Sequence, residues 1–394
     1  MSRSQDATDP TDRGGELHLG ATPPGLRGFA VADTALGQVR GAEGFYHYRQ
    51  YDAIELARNR TFEDVWHLFM QGELPSVEQR EQFVQKVAAL RRIPEDVSRL
   101  LPEVARLPAA PPLSAERIGM SLVSAALQLR PALDCSPQEL RDRCLQLCAL
   151  APSVVAAVHR LRSGRAVIEP AEHLGHAADY LFMLNGEEAD GDRASALEQY
   201  WIATIDHGFN ASTFTARIIA STRADIGAAV VGAMGALSGP LHDGAPGRVW
   251  EMLDEIGTRD RADAWLRARL ERGERIMGFG HAVYRTEDPR SRLLRAVAER
   301  LGGPRVELAQ HVEERSLQLL RELRPGHELY TNVEFYASIV LEAAGVPTEL
   351  FTPTFALSRM VGWSAHIMEQ LADPRIMRPT ARYVGPPPAN QALH

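Results

Sequence analysis

Lysine is almost absent from this chain of 394 residues, in which Lys86 is the only lysine and arginine carries nearly all of the positive charge. Coding bias explains this most simply, although arginine also suits bidentate contacts to carboxylates. Cysteine is scarce too, and the three cysteines, Cys135, Cys144 and Cys148, show neither paired spacing nor a histidine cluster of the zinc type. We therefore expect no metal site and interpret all three as reduced thiols in the core.

An excess of positive charge is also lacking, since the formal net charge is −8. Such a chain has no overall attraction to nucleic acid or to an anionic membrane, although a local basic pocket can still bind an anion. No apolar run has the length that a membrane span needs, and residues 1–15 are polar, without the apolar centre of a signal peptide. The sequence therefore predicts a cytoplasmic protein, with no nucleic-acid or membrane partner and a disordered tail over residues 1–24.

Apolar residues are plentiful, at 45%, so the chain can bury a large core, and its length suggests two or three compact units. Residues Phe29–Thr34 alternate like a short strand, and the turn at 37–44 leads into residues 45–48, so we expect a small N-terminal β-hairpin. Apolar residues three and four apart then favour helices, for example over Ala115–Leu129, Pro152–Leu161 and Asp263–Leu270. No second block of strands follows, so we expect a mainly α fold, with breaks near residues 107–112, 186–192 and 325–326.

The run GFGHAVYRTEDPR holds a histidine in a glycine-rich turn and an arginine at a helix start. Gly278 and Gly280 release the backbone around His281 from steric limits, so that main-chain groups can approach a ligand closely. Asp288 is a predicted N-cap, and Arg290 then lies in the first turn, beside unpaired N–H groups that favour an anion. A cation at that place needs an anionic partner. The run is therefore typical of a carbonyl and carboxylate site, with a plain surface arginine as the alternative.

This run resembles the signature of the citrate synthase family, and the likeness continues in one consistent order from about Gly25 to Gly385. The matching stretches are DHGFNASTFTARIIAST from Asp206, SGPLHDGAPGRV from Ser238, TNVEFYASIV from Thr331, LFTPTFALSRMVGWSAHIMEQ from Leu350 and RPTARYVG from Arg378. Chance motif matching would not produce that order. The resemblance implies a homodimer and a two-domain helical fold, with a large domain over 25–223 and 325–385, a small domain over 224–324 and a C-terminal tail over 386–394.

The resemblance also implies roles for three residues in a condensation of acetyl-CoA with a keto acid. His242 matches the histidine that donates a hydrogen bond to the thioester carbonyl, and His281 matches the one that polarises the ketone of the second substrate. The general base departs from the pattern, because the family commonly has aspartate in NVDFY and this chain has Glu334. One extra methylene changes the reach of the carboxylate by about 1 Å. The alternative to a catalytic role is a structural one, in which Glu334 is simply a favourable acid in the first turn of a helix that Asn332 caps.

Further residues match the family's binding site for oxaloacetate. These are His207 and Asn210, on a predicted helix, and three carboxylate-binding arginines, Arg290, Arg359 and Arg378, the last of which reaches the neighbouring subunit's site. For His207, a satisfied core histidine is the alternative. For Arg359, the alternative is a guanidinium that snorkels to solvent.

A site for CoA follows from the same resemblance. Arg285 matches a contact to a CoA phosphate, and the backbone from Arg275 to Gly280, which includes Gly278, matches the loop that holds the adenine. Acetyl-CoA is then a co-substrate, and no tightly bound cofactor is expected.

Three other positions depart from the family pattern, since Asp243 stands for a glycine, Pro246 for an asparagine and Gly208 for the glutamate of many relatives. Asp243 either holds His242 protonated or faces solvent. We expect a citrate synthase that also hydrolyses citryl-CoA. One alternative is a 2-methylcitrate synthase that uses propionyl-CoA, since one methylene in a pocket is worth only about 1–3 kcal/mol. The other is a catalytically weakened relative that binds acyl-CoA or a dicarboxylate.

Overall fold

The structure is a computed structural model, and the residues that it describes are 23–26, 28–107, 110–242, 245–281, 283–323 and 329–386, without the side chains of Ala245 and Pro246. The tails expected over 1–24 and 386–394 thus lie almost entirely outside the described residues, as does the break expected at 325–326. Two units divide the chain, one formed by residues 34–376 and the other by the segments before and after them. The expected division into a large and a small helical domain stays a prediction.

The described residues contain sixteen α-helices, all within residues 34–376. The first eight are α1 Ala53–Asn59, α2 Phe62–Gln71, α3 Val77–Ala89, α4 Glu95–Ala105, α5 Pro112–Ala126, α6 Pro137–Arg162, α7 His176–Asn185 and α8 Gly191–Thr204. The others are α9 Ala211–Ser221, α10 Ile226–Leu237, α11 Ala245–Ile256, α12 Arg259–Glu271, α13 Pro289–Leu301, α14 Pro304–Leu323, α15 Val333–Ala343 and α16 Phe351–Ala372. Short 3₁₀ turns lie at Pro24–Leu26, Ala132–Asp134 and Thr348–Leu350.

A small antiparallel sheet precedes the helices, with strands β1 Gly37–Arg40, β2 Phe45–Tyr48 and β3 Tyr51–Asp52 in that order. The expected hairpin is therefore present, but the strand expected over Phe29–Thr34 is wrong. Phe29 is 64% exposed, so the alternation there faces no core. Residues 37–40, which the sequence analysis placed in the turn, pair instead with residues 45–48.

Helix α16 lies at the centre of the fold, packed against α6, α8, α9 and α10. It is buried on nearly every side, which is typical of a helix surrounded by protein rather than facing solvent. Trp363 is fully buried on it, and so is its only arginine, Arg359. The position of that arginine is therefore fixed by the core.

The three helices named from periodicity are confirmed within α5, α6 and α12, except that α5 ends at Ala126, three residues before the expected end at Leu129. Helix α6 is longer than expected because Ser136 forms a capping box with Glu139, and Pro137 occupies the first helical position, where its missing N–H costs nothing. Cys144 and Cys148 are buried on this helix, as expected, and Cys135 is half-buried before it.

Helix α6 also corrects the expectation that no apolar run approaches membrane-spanning length. It contains an 18-residue window with a mean hydropathy of 1.5, which is long and apolar enough to cross a membrane. However, 83% of that window is buried inside the fold, where α5, α7 and α16 cover it. The composition of α6 is therefore that of a core helix.

Candidate active site

One cavity of about 500 Å³ collects most of the residues that the sequence analysis selected. Seven of them line it, namely His207, Asn210, His242, His281, Arg290, Glu334 and Arg359. The other selected residues, Arg275, Gly278, Gly280, Arg285 and Arg378, do not line it. The cavity therefore unites the two expected carbonyl donors, the expected base and two of the three expected arginines.

The turn before His281 is held against the start of α15. The N–H of Asn332 donates to the carbonyl oxygen of Gly278 over 2.8 Å, and the N–H of Gly280 donates to that of Tyr330 over 2.9 Å. Gly278 has φ 79°, and a Cβ there would lie 2.8 Å from the ring of Phe335. Glycine is thus required at this close approach, which brings His281 next to the helix that carries Glu334.

The neutral tautomer of His281 is set by its own loop. Nδ1 accepts from the backbone N–H groups of Val283, over 2.9 Å, and Tyr284, over 3.0 Å. A ring nitrogen that accepts from N–H carries no proton, so the proton of the neutral ring lies on Nε2. Burial and the neighbouring Arg290 lower the pKa of His281 to about 4. At neutral pH, His281 is therefore an uncharged donor through Nε2.

Arg290 already has a protein anion as its partner, which the sequence analysis did not foresee. Its Nε donates to Oδ1 of Asp288 over 3.0 Å and its Nη2 to Oδ2 over 2.8 Å, and the two residues are only 2% and 1% exposed. The same carboxylate caps α13 and accepts from the N–H of Val333 on α15. Asp288 therefore fixes both the guanidinium and the relative placement of two helix starts.

The second ring nitrogen of His281, Nε2, lies beside the guanidinium of Arg290. Nη2 of Arg290 lies 3.2 Å from Nε2 of His281. Since both atoms carry protons in the tautomer derived above, neither satisfies the other. Two donors so placed are suited to one shared acceptor, such as an oxygen of an anionic ligand.

His207 lies in the turn between α8 and α9, so the expectation that it lies on a helix is wrong. Gly208, with φ 67°, breaks the helical path, and Asn210 caps α9 by accepting from the N–H of Thr213. Nε2 of His207 lies 2.9 Å from the hydroxyl of Tyr284. Burial, together with Arg290, lowers the pKa of His207 well below its usual value. The ring is therefore neutral inside the cavity wall.

The orientation of His242 depends on the start of α9. Its Nε2 accepts from the backbone N–H of Ser212 over 3.0 Å and also contacts the hydroxyl of that residue over 2.9 Å. The proton of the neutral ring therefore lies on Nδ1. Burial lowers the pKa of His242, which favours this uncharged form. The side chains of Asp243 and Pro246 lie outside the described residues, so their effects stay predictions.

Glu334 is half-buried in the first turn of α15 and lines the same cavity. Asn332 caps this helix by accepting from the N–H of Glu334 over 3.1 Å, as the structural alternative required. The amide of Asn332 also donates to the carbonyl oxygen of Gly280 over 3.0 Å. The acid is thus favoured by the helix dipole and faces the cavity as well, so the two interpretations are compatible.

Arg359 does not snorkel to solvent, because it is only 4% exposed. Its Nε donates to the carbonyl oxygen of Thr204, at the end of α8, over 2.6 Å. Its guanidinium lies 4.7 Å from the ring centroid of Phe355, one helical turn earlier on α16. Arg359 is therefore a buried cation in the cavity wall. Because its charge is shielded from solvent, it is suited to bind an anionic ligand in the cavity.

Two neighbouring cavities contain most of the residues expected to contact CoA. Arg275 and Gly280 line one of about 410 Å³, and Gly280 and Arg285 line another of about 120 Å³. His281 lines both of these as well as the main cavity, so the three meet at this residue. Gly278 supports the turn between them without lining any of the three. Arg378 is exposed in the irregular segment after α16.

The sequence analysis did not identify three residues of this site. These are Ser212, which contacts His242, Tyr284, which contacts His207, and Asp288, which pairs with Arg290. The only signal was their position, because each lies inside a quoted motif next to a selected residue. No group of three or more His, Cys, Asp or Glu side chains in the described ranges is placed to hold a metal ion.

The family model of the citrate synthase C-terminal domain matches residues 25–380. The chain belongs to the citrate synthase family. Citrate synthase of Haloferax volcanii is 38% identical to it over 363 residues, which cover 92% of this chain and 95% of that protein. The 2-methylcitrate synthase of Shewanella oneidensis is 36% identical, with 93% and 96% covered.

Solved structures of the citrate synthase family share this fold. The ternary complex of citrate synthase from Thermoplasma acidophilum with carboxymethyl coenzyme A and oxaloacetate superposes with a TM-score of 0.84. That protein is 26% identical to this chain, with 93% of this chain and 96% of the other covered. The expected family and the mainly α fold with an N-terminal hairpin are thus confirmed, and the protein is an acyltransferase of the citrate synthase type.

Proposed function

We propose that this protein condenses acetyl-CoA with oxaloacetate and hydrolyses the citryl-CoA that forms, releasing citrate and CoA. One observation carries the proposal, which is that His242, His281 and Glu334 line a single cavity with Arg290 and Arg359. Uncharged donors for two carbonyl oxygens, a carboxylate base and two cations for a dicarboxylate are the groups that this reaction needs.

The first step forms the enol of acetyl-CoA. Glu334 removes a proton from the methyl carbon, while Nδ1–H of His242 donates to the thioester oxygen on which charge develops. The electron pair of the broken C–H bond moves into the new C=C bond. Because Ser212 occupies Nε2 of His242, the donating proton is held on the side of the ring away from α9.

The second step joins the two carbons. Nε2–H of His281 donates to the ketone oxygen of oxaloacetate, and the enol carbon attacks the polarised carbonyl carbon. The π electron pair of the C=O bond moves onto the ketone oxygen, which becomes the hydroxyl of citryl-CoA, and the proton that it gains balances the methyl proton that Glu334 removed. Arg290 and Arg359 bind the carboxylates and so orient the ketone. Since the pKa of His281 is lowered to about 4, the ring polarises the carbonyl as a neutral donor rather than as an imidazolium.

Hydrolysis then requires water to attack the thioester carbon of citryl-CoA, so that a C–O bond replaces the C–S bond and one proton of the water passes to the departing CoA thiolate. Arg275, Gly278, Gly280 and Arg285 bind CoA in this proposal. Two cavities beside His281 support the assignment for Arg275, Gly280 and Arg285, which line them. The expected homodimer, in which Arg378 completes the neighbouring subunit's site, and a cytoplasmic location belong to the proposal as well. Closing a site of this kind excludes bulk water while the enol forms.

A second candidate function is condensation of propionyl-CoA with oxaloacetate, to give 2-methylcitrate. The observation in its favour is the 36% identity to the 2-methylcitrate synthase of Shewanella oneidensis. One methylene of the acyl group is worth only about 1–3 kcal/mol in a pocket, so the same constellation serves both acyl donors. A weakened relative that only binds acyl-CoA or dicarboxylate is a third candidate, motivated by Glu334 and Asp243.

The test follows release of the CoA thiol with a thiol-reactive dye, using acetyl-CoA and propionyl-CoA in turn with oxaloacetate present. We expect a higher kcat/KM with acetyl-CoA and loss of thiol release in the Glu334→Gln variant. A higher kcat/KM with propionyl-CoA moves the assignment to 2-methylcitrate. No thiol release with either donor, in a protein whose oxaloacetate binding is seen by calorimetry, moves it to the binding protein.

A further inference from the structure

A second site lies outside the catalytic cavity, between α5, the end of α6 and the 3₁₀ turn Thr348–Leu350 that precedes α16. The cavity there has about 270 Å³ and is lined by Glu116, His159 and Arg162, among others. At about 30 Å³ for each water molecule, that volume equals about nine waters, so it admits a molecule of about nine non-hydrogen atoms.

Glu116 is the unusual member of this cavity. Its side chain lies on α5, is only 1% exposed, and neither carboxyl oxygen has a hydrogen-bond partner among the described residues. Most buried carboxyl groups are paired, because burying one alone is costly. Burial accordingly raises the pKa of Glu116 well above its usual value. A cationic ligand donor that reaches this carboxyl would favour its ionised form and so offset the cost.

Arg162 provides the opposite chemistry in the same cavity. Its Nε and Nη2 are buried and also have no hydrogen-bond partner in the described part of the chain. These two nitrogens form one edge of the guanidinium, the edge that binds both oxygens of a carboxylate in parallel. Arg162 therefore presents an unused carboxylate fork.

The other polar residues that line the cavity, His159, Ser163 and Glu349, already have partners, and the hydroxyl of Ser163 donates to the carbonyl oxygen of His159 over 3.0 Å. Nη2 of Arg165 lies 2.8 Å from Nε2 of His159, whose Nδ1 lies 3.5 Å from Oε1 of Glu349. Since arginine can only donate, the neutral His159 ring has its proton on Nδ1, toward Glu349. This leaves Glu116 and Arg162 as the groups with capacity for a ligand.

The remaining residues of the lining indicate what kind of group would lie between Glu116 and Arg162. Pro112, Val155, Val158 and Leu350 are apolar and line the space with Glu116 and Arg162. A short chain of methylenes suits such walls, whereas a phosphate or a second carboxylate would face the carboxyls of Glu116 and Glu349. The chemistry is therefore that of a linear molecule with a carboxylate at one end and an amine at the other.

We propose that this cavity is a second small-molecule site, which binds a short ω-amino carboxylate with its carboxylate on Arg162 and its amine on Glu116. The proposal is independent of the proposed function, because neither residue lines the catalytic cavity. No catalytic step is assigned to the ligand.

Isothermal titration calorimetry of the 394-residue chain tests the site with three probes, 4-aminobutyrate, 5-aminovalerate and 6-aminohexanoate. Oxaloacetate is present at saturation so that the catalytic cavity is occupied. We expect saturable binding of at least one probe, and binding about tenfold weaker or worse for butylamine and pentanoate, which each lack one end. If no probe binds saturably, or if a one-ended compound binds as tightly as the best probe, the proposal is overturned.

Two variants locate the binding. Glu116→Gln and Arg162→Gln should each weaken the best probe by about tenfold or more. The matched controls are Glu103→Gln and Arg106→Gln, an exposed acid and base that pair with each other at the C-terminal end of α4, and these should bind as the wild type does. Unchanged thiol release and thermal unfolding show that the variants are folded. Unchanged binding in either cavity variant would overturn the two-ended site.

Discussion

The backbone N–H of Ser212 donates to Nε2 of His242 over 3.0 Å, across thirty residues of sequence. Ser212 belongs to the first turn of α9, where N–H groups have no partner within the helix. One of these groups therefore fixes the tautomer of a loop histidine. Because α9 is capped by Asn210, the same helix start orders two residues of the cavity wall.

The first prediction concerns this contact. Replacing His242 with alanine should lower kcat about 10²- to 10³-fold, since it removes the donor to the thioester oxygen. Ser212→Ala retains the backbone N–H that sets the tautomer and should lower kcat less than about tenfold. Steady-state thiol release measures both. Equal losses in the two variants would show that the hydroxyl, and not the N–H, orients the ring.

A second prediction concerns the length of the base. Glu334→Gln should lower kcat about 10²- to 10⁴-fold, because the amide cannot accept the methyl proton. Glu334→Asp keeps the charge but shortens the reach, and we expect a loss of about a hundredfold, since a misplacement of about 1 Å is costly. Exchange of the acetyl-CoA methyl protons with deuterated water isolates this step. If Glu334→Asp exchanges the methyl protons as fast as the wild type, the backbone at the start of α15 is not adjusted to the longer side chain of glutamate.

Much of the local structure could be predicted because its causes are local in sequence. Asp288 before Pro289 and Asn332 before Val333 are strong caps, and α13 and α15 begin where they indicate. The first strand could not be placed in the same way. Alternation over Phe29–Thr34 looks like a strand, but a strand also needs a partner and a face to bury.

The sequence predicted which residues form the site, but it did not predict how their side chains contact one another. Family motifs selected seven residues that line one cavity. Their hydrogen bonds could not be foreseen, because Ser212 and His242, or His207 and Tyr284, are far apart in sequence. The pairing of Arg290 with Asp288 was local and still missed, since the cap was assigned to backbone N–H groups alone.

The third prediction tests Asp288, which is buried with Arg290. Asp288→Asn leaves a buried guanidinium without its charge partner, and such a change typically costs about 3–5 kcal/mol. We expect the free energy of unfolding, measured in urea, to fall by about 3–5 kcal/mol. We also expect the KM for oxaloacetate to rise, because Arg290 would no longer be held in place. Asp263 provides the control. Its side chain is 44% exposed and contacts Arg315 and Arg267 at the surface, so Asp263→Asn should change stability by less than about 1 kcal/mol.

A fourth prediction is the titration of His281. Its pKa is lowered to about 4 because burial penalises the imidazolium, so the ring stays neutral above that pH. Between that value and the ordinary value of about 6.5, the unfolded chain binds the proton and the folded one does not. This ring therefore contributes to the loss of stability as pH falls through that window. NMR of histidine rings should show a midpoint near 4 that disappears in His281→Asn, whereas a midpoint near 6.5 would contradict the burial argument.

The fifth prediction concerns His366, a positioning residue behind the turn that carries His207. Nη1 of Arg217 lies 3.2 Å from Nδ1 of His366, so the opposite nitrogen, Nε2, carries the proton and donates to Oδ1 of Asp206 over 3.2 Å. Oδ2 of Asp206 accepts in turn from the N–H of Gly208 over 3.2 Å. The chain of contacts therefore fixes the backbone on both sides of His207.

Replacing His366 with phenylalanine removes the donor to Asp206 and should let this turn move. A misplacement of a site residue by about 1 Å typically costs about a hundredfold. We expect His207 to move by less than that, so the KM for oxaloacetate should rise about tenfold. The KM for acetyl-CoA should change little, because the turn faces the expected oxaloacetate side of the cavity. His366→Gln retains a donor and should recover part of the loss. A variant that lowers kcat with both KM values unchanged would argue against a positioning role.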